Sequence, residues 1–133
     1  LTERVVLDAS VAVQLAASRH GYAAVEPLGL VAPPLLWSET AAAIRQAVWR
    51  RLISEELGEA ALRAFLHAPI ELVRPVGLYE RAWAIARRLG WAKTYDAEYI
   101  ASAEILGVPL LTRDGRLRRT AERFIETIGP AEL

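Results

Sequence analysis

Arg4-Val5-Val6-Leu7-Asp8-Ala9-Ser10-Val11 is the stretch from which the fold can be read. Val5, Val6 and Leu7 form a short apolar run without alternation, the pattern of a strand buried on both faces. The carboxylate of Asp8 ends the run, and Ser10 is placed to cap a helix extending to about Ala17. A buried strand that hands over directly to a helix is the unit of a parallel sheet, because parallel neighbours need a crossover connection.

Further along the chain the unit recurs. A short helix fits Gly21 to Glu26 and a second strand Leu30 to Ala32. Pro33 and Pro34 close that strand and open a helix to about Arg51, since proline is tolerated in a first helical turn. Ser54, Leu57, Ala61 and Phe65 mark another helix ending near Pro69, and Ile70 to Val73 is a third strand. Leu78, Ala82, Ile85 and Leu89 have the spacing of a buried helical stripe that Gly90 stops. Thr94 is placed to cap a helix from Tyr95 to Leu106, followed by a fourth strand from Val108 to Thr112. Asp114-Gly115 then reads as a turn, Arg116 to Glu122 as a short helix, and Phe124 to Ile128 as an edge strand. The predicted class is α/β, a central, mostly parallel sheet covered by helices on both faces.

Composition narrows the chemistry. The 133 residues fit one domain able to bury a core without disulfides or structural metal. Cysteine is absent and the two histidines, His20 and His67, have no ligand spacing, which argues against a zinc site or a histidine-based nucleophile. Sixteen basic and 16 acidic residues give zero net charge, so nucleic-acid contact has to come from local patches. Asp8 and Gln14 interrupt the apolar N-terminal run that would otherwise imitate a secretion signal, and no stretch reaches the roughly 18 apolar residues of a membrane span. The expected protein is soluble and cytoplasmic, and the absence of methionine suggests removal of the initiator.

The chain has only three aspartates, and their placement is informative. Asp8 follows the first strand, Asp114 lies just past the fourth, and Asp96 opens the helix before the fourth. Ligands of open α/β sheets bind outside the carboxyl ends of the strands. Each aspartate also has a structural reading: Asp8 as a helix cap, Asp96 as a complement to a helix N-terminus, Asp114 as a turn former. Glu39, in the first turns of the helix after the second strand, falls on the same side of the sheet. Four carboxylates in one pocket repel strongly, by on the order of 4 kcal/mol per pair at about 4 Å and an effective dielectric near 20. Such a cluster takes up protons or binds cations, and hard oxygen ligands select Mg²⁺ or Mn²⁺. Chemistry that relies on acids, without histidine or cysteine, is metal-assisted phosphodiester hydrolysis.

Four segments carry a resemblance. They are Val6-Leu7-Asp8-Ala9-Ser10-Val11, Ala32-Pro33-Pro34-Leu35-Leu36-Trp37-Ser38-Glu39, Tyr95-Asp96-Ala97-Glu98-Tyr99-Ile100-Ala101-Ser102-Ala103 and Leu110-Leu111-Thr112-Arg113-Asp114-Gly115-Arg116-Leu117. In this order the sequence resembles the PIN-domain nucleases, and among them the VapC toxins of toxin–antitoxin pairs. The resemblance implies a single PIN domain over 1–133, folded as a three-layer α/β/α sandwich with an acidic pocket at the carboxyl edge of the sheet. It implies that Asp8 and Asp96 are metal ligands, that Glu39 and Asp114 complete the shell directly or through water, and that Ser10 and Thr112 line the pocket. The implied activity is endoribonuclease cleavage of RNA with Mg²⁺ or Mn²⁺. The implied partners are an RNA substrate, a cognate antitoxin and a second copy of the chain.

Arg113 departs from the pattern, since a small residue is frequent there. With Arg116 it is an expected RNA contact, and Arg118, Arg119 and Lys93 are read as extending the basic rim. One or two of Trp37, Trp49, Trp83 and Trp91 are expected at an interface. An aspartate-nucleophile phosphotransferase would want a second aspartate where Ser10 stands. A receiver-like module would want paired acids and a lysine that Lys93 does not supply. A PIN-type RNA-processing enzyme and a nonenzymatic module on the same fold are the remaining alternatives.

Overall fold

The computed structural model describes residues 3–133. Its centre is β1 (Arg4–Leu7), where Val5, Val6 and Leu7 have no exposed surface. Fully burying side chains of this size contributes roughly 1.5–3 kcal/mol each. Five strands form one sheet in the order β3-β2-β1-β4-β5, with β2 at Gly29–Ala32, β3 at Ile70–Leu72, β4 at Leu110–Leu111 and β5 at Thr127–Ile128. Every pairing is parallel, with Val6 opposite both Val31 and Leu110. The chain thus builds outward from β1 to β3, then crosses back and builds outward again from β4. The reversal opens a crevice at the carboxyl ends of β1 and β4, where such sheets bind ligands.

Helices cover both faces as a three-layer α/β/α sandwich. Helices α1 (Ala9–Ala17), α2 (Leu35–Trp49) and α3 (Glu55–Leu66) pack on one another, and α4 (Leu78–Leu89) packs on α5 (Tyr95–Leu106). Helix α5 contacts β1 and β4 on its other side, and every residue from Ala97 to Ala103 is buried. Its alanines and Ser102 let the backbone approach the sheet, so this helix has no solvent stripe. Gly58 of α3 meets α2 so closely that a Cβ there would overlap the Val48 side chain.

Several boundaries differ from expectation, each for a local reason. Helix α1 is capped by Asp8, whose carboxylate accepts from the Val11 N–H at 3.2 Å, while Ser10 already lies inside the first turn. Strand β4 is shorter than Val108–Thr112: the Val108 N–H is spent on the Ala103 carbonyl, finishing α5, and Pro109 has none to give. Strand β5 is shorter than Phe124–Ile128 because the N–H groups of Phe124 and Ile125 both bond to Ala121. Asp114 does more than turn the chain, because it caps α6 (Gly115–Ala121) by accepting from the N–H groups of Arg116 and Leu117. Thr94 precedes α5 but makes no side-chain cap; its hydroxyl donates to Glu98 instead. Among the described residues, no helix is long and apolar enough to cross a membrane.

Candidate metal centre

Asp8 stands where β1 ends, and its N–H bonds to the Leu111 carbonyl of β4 at 3.3 Å, fixing it at the crevice. The residue is buried, and both carboxylate oxygens are engaged. Ser10 donates to Oδ1 at 2.6 Å, the Val11 N–H to the same oxygen at 3.2 Å, and Thr112 to Oδ2 at 2.6 Å. The two hydroxyls also tie down the loop after β4, since Ser10 Oγ accepts from the Arg113 N–H and Thr112 Oγ1 from the Asp114 N–H. Both expected pocket residues therefore touch Asp8 itself. Burial pushes the Asp8 carboxyl above its usual range, its hydrogen bonds pull it down, and nearby Asp114 pushes it up again.

The other acids arrive from helices on the same side. Glu39 is half-buried in the second turn of α2, and Asp96 lies in the first turn of α5. Burial raises Glu39 most, with Asp96, Asp8 and Glu98 adding to the shift. Asp96 is raised by burial and then by Asp114 and Asp8, with Arg116 partly offsetting them. Asp8, Glu39 and Asp96 thus each feel at least one other acid across the crevice.

They do not form a finished cage. Among the described residues, no three Asp, Glu or His side chains stand close enough to grip one ion as they are. Hard oxygen donors of this kind suit Mg²⁺ or Mn²⁺ rather than a softer metal. The donor set is oxygen only, and two of its members, Glu39 and Asp96, line an open cleft of about 520 Å³. Arg116 and Lys93 also line this cleft, as do Trp91 and Tyr95.

Tyr99 and Glu98 belong to the site although the sequence reading gave them no part in it. The buried Tyr99 hydroxyl donates to Glu39 Oε1 at 2.6 Å. Burial and the neighbouring Glu39 carboxylate raise the phenol far above its ordinary range, so it remains a donor. Glu98 is buried one turn into α5, raised by burial and held by the Thr94 hydroxyl at 2.9 Å.

The basic rim is narrower than expected. Arg113 is exposed, and its backbone N–H donates to Ser10 Oγ. Arg118 turns away to pair with Glu132 and Glu122 and to donate to Thr127. Of the tryptophans, Trp37 and Trp91 pack against the core, whereas Trp49 and Trp83 are 76% and 68% exposed.

Comparison with known proteins identifies the family and the fold. Residues 5–123 match the family described as PIN domain. Ribonuclease VapC12 of Mycobacterium tuberculosis is 38% identical over 120 residues, which cover 87% of this chain and 91% of that protein. Ribonuclease VapC1 of the same species is 36% identical over 126 residues, covering 84% and 86%. The solved structure of PAE2754 from Pyrobaculum aerophilum matches 98% of this chain and 92% of its own, with a TM-score of 0.74 at 24% identity. That last likeness is one of fold.

Proposed function

The chain belongs to the PIN domain family, as a VapC-type member, and from that premise we propose that it is a divalent-metal-dependent endoribonuclease acting as the toxin of a toxin–antitoxin pair. The observation that carries the reading is the meeting of Asp8, Glu39, Asp96 and Asp114, from four distant segments, at the carboxyl edge of one parallel sheet. Burying acids that raise one another's pKa is unfavourable in itself, and a bound cation removes the penalty.

In this reading Asp8 and Asp96 hold Mg²⁺ or Mn²⁺, and Glu39 and Asp114 complete its shell directly or through water. When bound, such an ion supplies positive charge against a phosphodiester's developing negative charge and makes water acidic enough to attack. The chain's own groups set the geometry. Ser10, Thr112 and the Val11 N–H keep Asp8 in one orientation, and Tyr99 does the same for Glu39. Arg116, near enough to Asp96 to lower its pKa, is placed to hold a phosphate of the RNA backbone at the cleft. On this reading the chain is held by a cognate antitoxin and pairs with a second copy of itself. Trp49 with Leu52, both largely exposed beside the end of α2, supplies apolar surface for one such contact.

The test is RNA cleavage by chelator-stripped protein before and after Mg²⁺ or Mn²⁺ is restored. Cleavage is expected only with the ion and is lost in Asp8→Asn. Undiminished cleavage by stripped protein, or by the folded Asp8→Asn variant, overturns the assignment. Expression of the wild type should arrest growth; harmless expression of a protein that still cleaves RNA assigns it to RNA processing instead.

A further inference from the structure

Helix α6 carries two groups of the candidate metal centre at its start. Asp114 caps it, and Arg116 lines the cleft from its first turn. The helix is only seven residues long. Two helical turns have little persistence of their own, so the direction of α6 is set by what its side chains grip. Leu117 and Ala121 are buried and hold one face. Arg118 holds another, and its grip reaches outside the helix. Its Nε donates to Thr127 Oγ1 of β5 at 3.0 Å, and its Nη2 pairs with Glu132 in the turn Pro130–Glu132. Thr127 in turn donates to Glu122 Oε1 at 3.1 Å, just past the end of α6, and the Gly129 N–H donates to Glu132 Oε1 at 3.2 Å. A Cβ at Gly129 would stand 2.8 Å from Arg118 Nη1, so the turn closes this tightly on the guanidinium only with glycine there.

We propose that Arg118 is a positioning residue for the metal centre: through Thr127 and Glu132 it fixes the axis of α6, and with it the place of the Asp114 carboxylate at the crevice. The proposal rests on the divalent-metal reading and adds to it a residue outside the cleft. Asp114 is coupled to the helix because its Oδ1 accepts from two of the helix N–H groups, Arg116 at 3.0 Å and Leu117 at 3.2 Å. Among the described residues Oδ2 has no such bond, which leaves it for an ion or the ion's water. A swing of α6 therefore moves that oxygen directly. Magnitudes separate this role from plain stabilisation. The side chains of Arg118, Glu122 and Glu132 are 32%, 53% and 48% exposed, and ion pairs so open to water add little to global stability. Placement is less forgiving, since a shift of about 1 Å near the chemistry can cost about a hundredfold. Arg118 therefore matters more to the ion than to the fold.

The test titrates Mn²⁺ calorimetrically into the full chain, alongside melts in chelator. Glu132→Ala removes the far half of the clasp at an exposed side chain, and Arg118→Met removes the guanidinium while keeping the apolar stem. Each is expected to raise the Mn²⁺ Kd by about tenfold, the low end for groups that orient a metal ligand from behind. Each should lower Tm by no more than about 4 °C. Arg45→Ala breaks an exposed ion pair with Glu55, between α2 and α3, and should leave the Kd unchanged. In an Asp114→Asn background Glu132→Ala should cost no further affinity, because its effect runs through that carboxylate. An unaltered Kd in both clasp variants overturns the proposal. So does a further tenfold loss in the Asp114→Asn background, which would put the effect elsewhere. A fall in Tm beyond about 4 °C in both variants also overturns it, making Arg118 part of the framework only. A wild type that binds no Mn²⁺ overturns the metal reading itself, whereas one that binds it no more tightly than its two variants overturns the clasp alone.

Discussion

Replacing Asp96 with asparagine separates a metal ligand from a helix-start acid. In the metal-free protein its carboxylate is penalised first by burial and then by Asp114 and Asp8, while Arg116 compensates in part. Arg116 and the N-terminus of α5, which favours a negative charge by ~0.3–1 kcal/mol, offset only part of this. The amide is nearly isosteric and carries no charge to be penalised, so Asp96→Asn is expected to stabilise the metal-free fold by about 1 kcal/mol, the size of a partly screened charge interaction. For a chain of 133 residues that is a rise in Tm of about 3–5 °C.

Divalent ion should reverse the order. A ligand at one hundred times its Kd stabilises the protein it binds by ~2.7 kcal/mol, and the wild type should gain about that while the variant gains little. Thermal melts in chelator and across a Mg²⁺ titration read both quantities, and the two stability curves are expected to cross. A variant less stable than wild type in chelator, or one with the same ion-induced gain, refutes the reasoning. The first result would make Asp96 a structural helix-start acid, and the second would place the ion elsewhere.

Thr112→Val removes the buried hydroxyl bonded to Asp8 and should lower stability by about 1.5–3 kcal/mol in melts, with a tenfold or larger loss of cleavage. Thr112→Ser should retain most of both, and a neutral valine variant would show that the bond does not orient Asp8. Tyr99→Phe leaves Glu39 without its donor and should raise the Mg²⁺ concentration for half-maximal cleavage by about tenfold, roughly 1.4 kcal/mol, while circular dichroism stays native. Gly58→Val forces a branched side chain into Val48 and should cost about 2 kcal/mol of stability; unchanged melts would mean α2 and α3 yield freely. The pH response of the metal-free protein is also fixed in sign. Asp8, Glu39, Asp96 and Glu98 all have folded-state pKa values raised above the unfolded ones. The stability they contribute is full below the ordinary carboxylate values near 4 and is lost as pH rises through the raised values. Melts in chelator should therefore show Tm rising as pH falls from neutral towards the ordinary carboxylate range near 4, and a monotonic fall would contradict the charge cluster.

The parallel sheet was legible because burial on both faces leaves an unbroken apolar run, as at Val5-Val6-Leu7, and because each run hands over to a helix. The strand ends were less legible, since they depend on which N–H groups the neighbouring helices take, as at Val108 and Phe124. Asp8, Asp96 and Asp114 stand out in a chain with so few aspartates, and strand topology puts two of them at one edge. Tyr99 was hidden because a tyrosine within an all-buried helix reads as core, and its partner Glu39 lies 60 residues away. Arg118 was misplaced on the rim because its direction depends on Glu132, in a C-terminal turn that no periodicity announces.

These failures share a cause: sequence spacing reports which face of an element is buried, but not which polar group waits on the other side. At Asp8 that difference sets the charge balance of the carboxylate. Ser10 and Thr112 keep the carboxylate oriented and favour its charged form, while burial and Asp114 oppose that form. An unstrained fold would replace such an acid with an apolar residue, as β1 does at each of the three positions before it. A buried carboxylate kept there, capping α1, braced by two hydroxyls and beside three more acids, is a group whose charge a bound cation would favour.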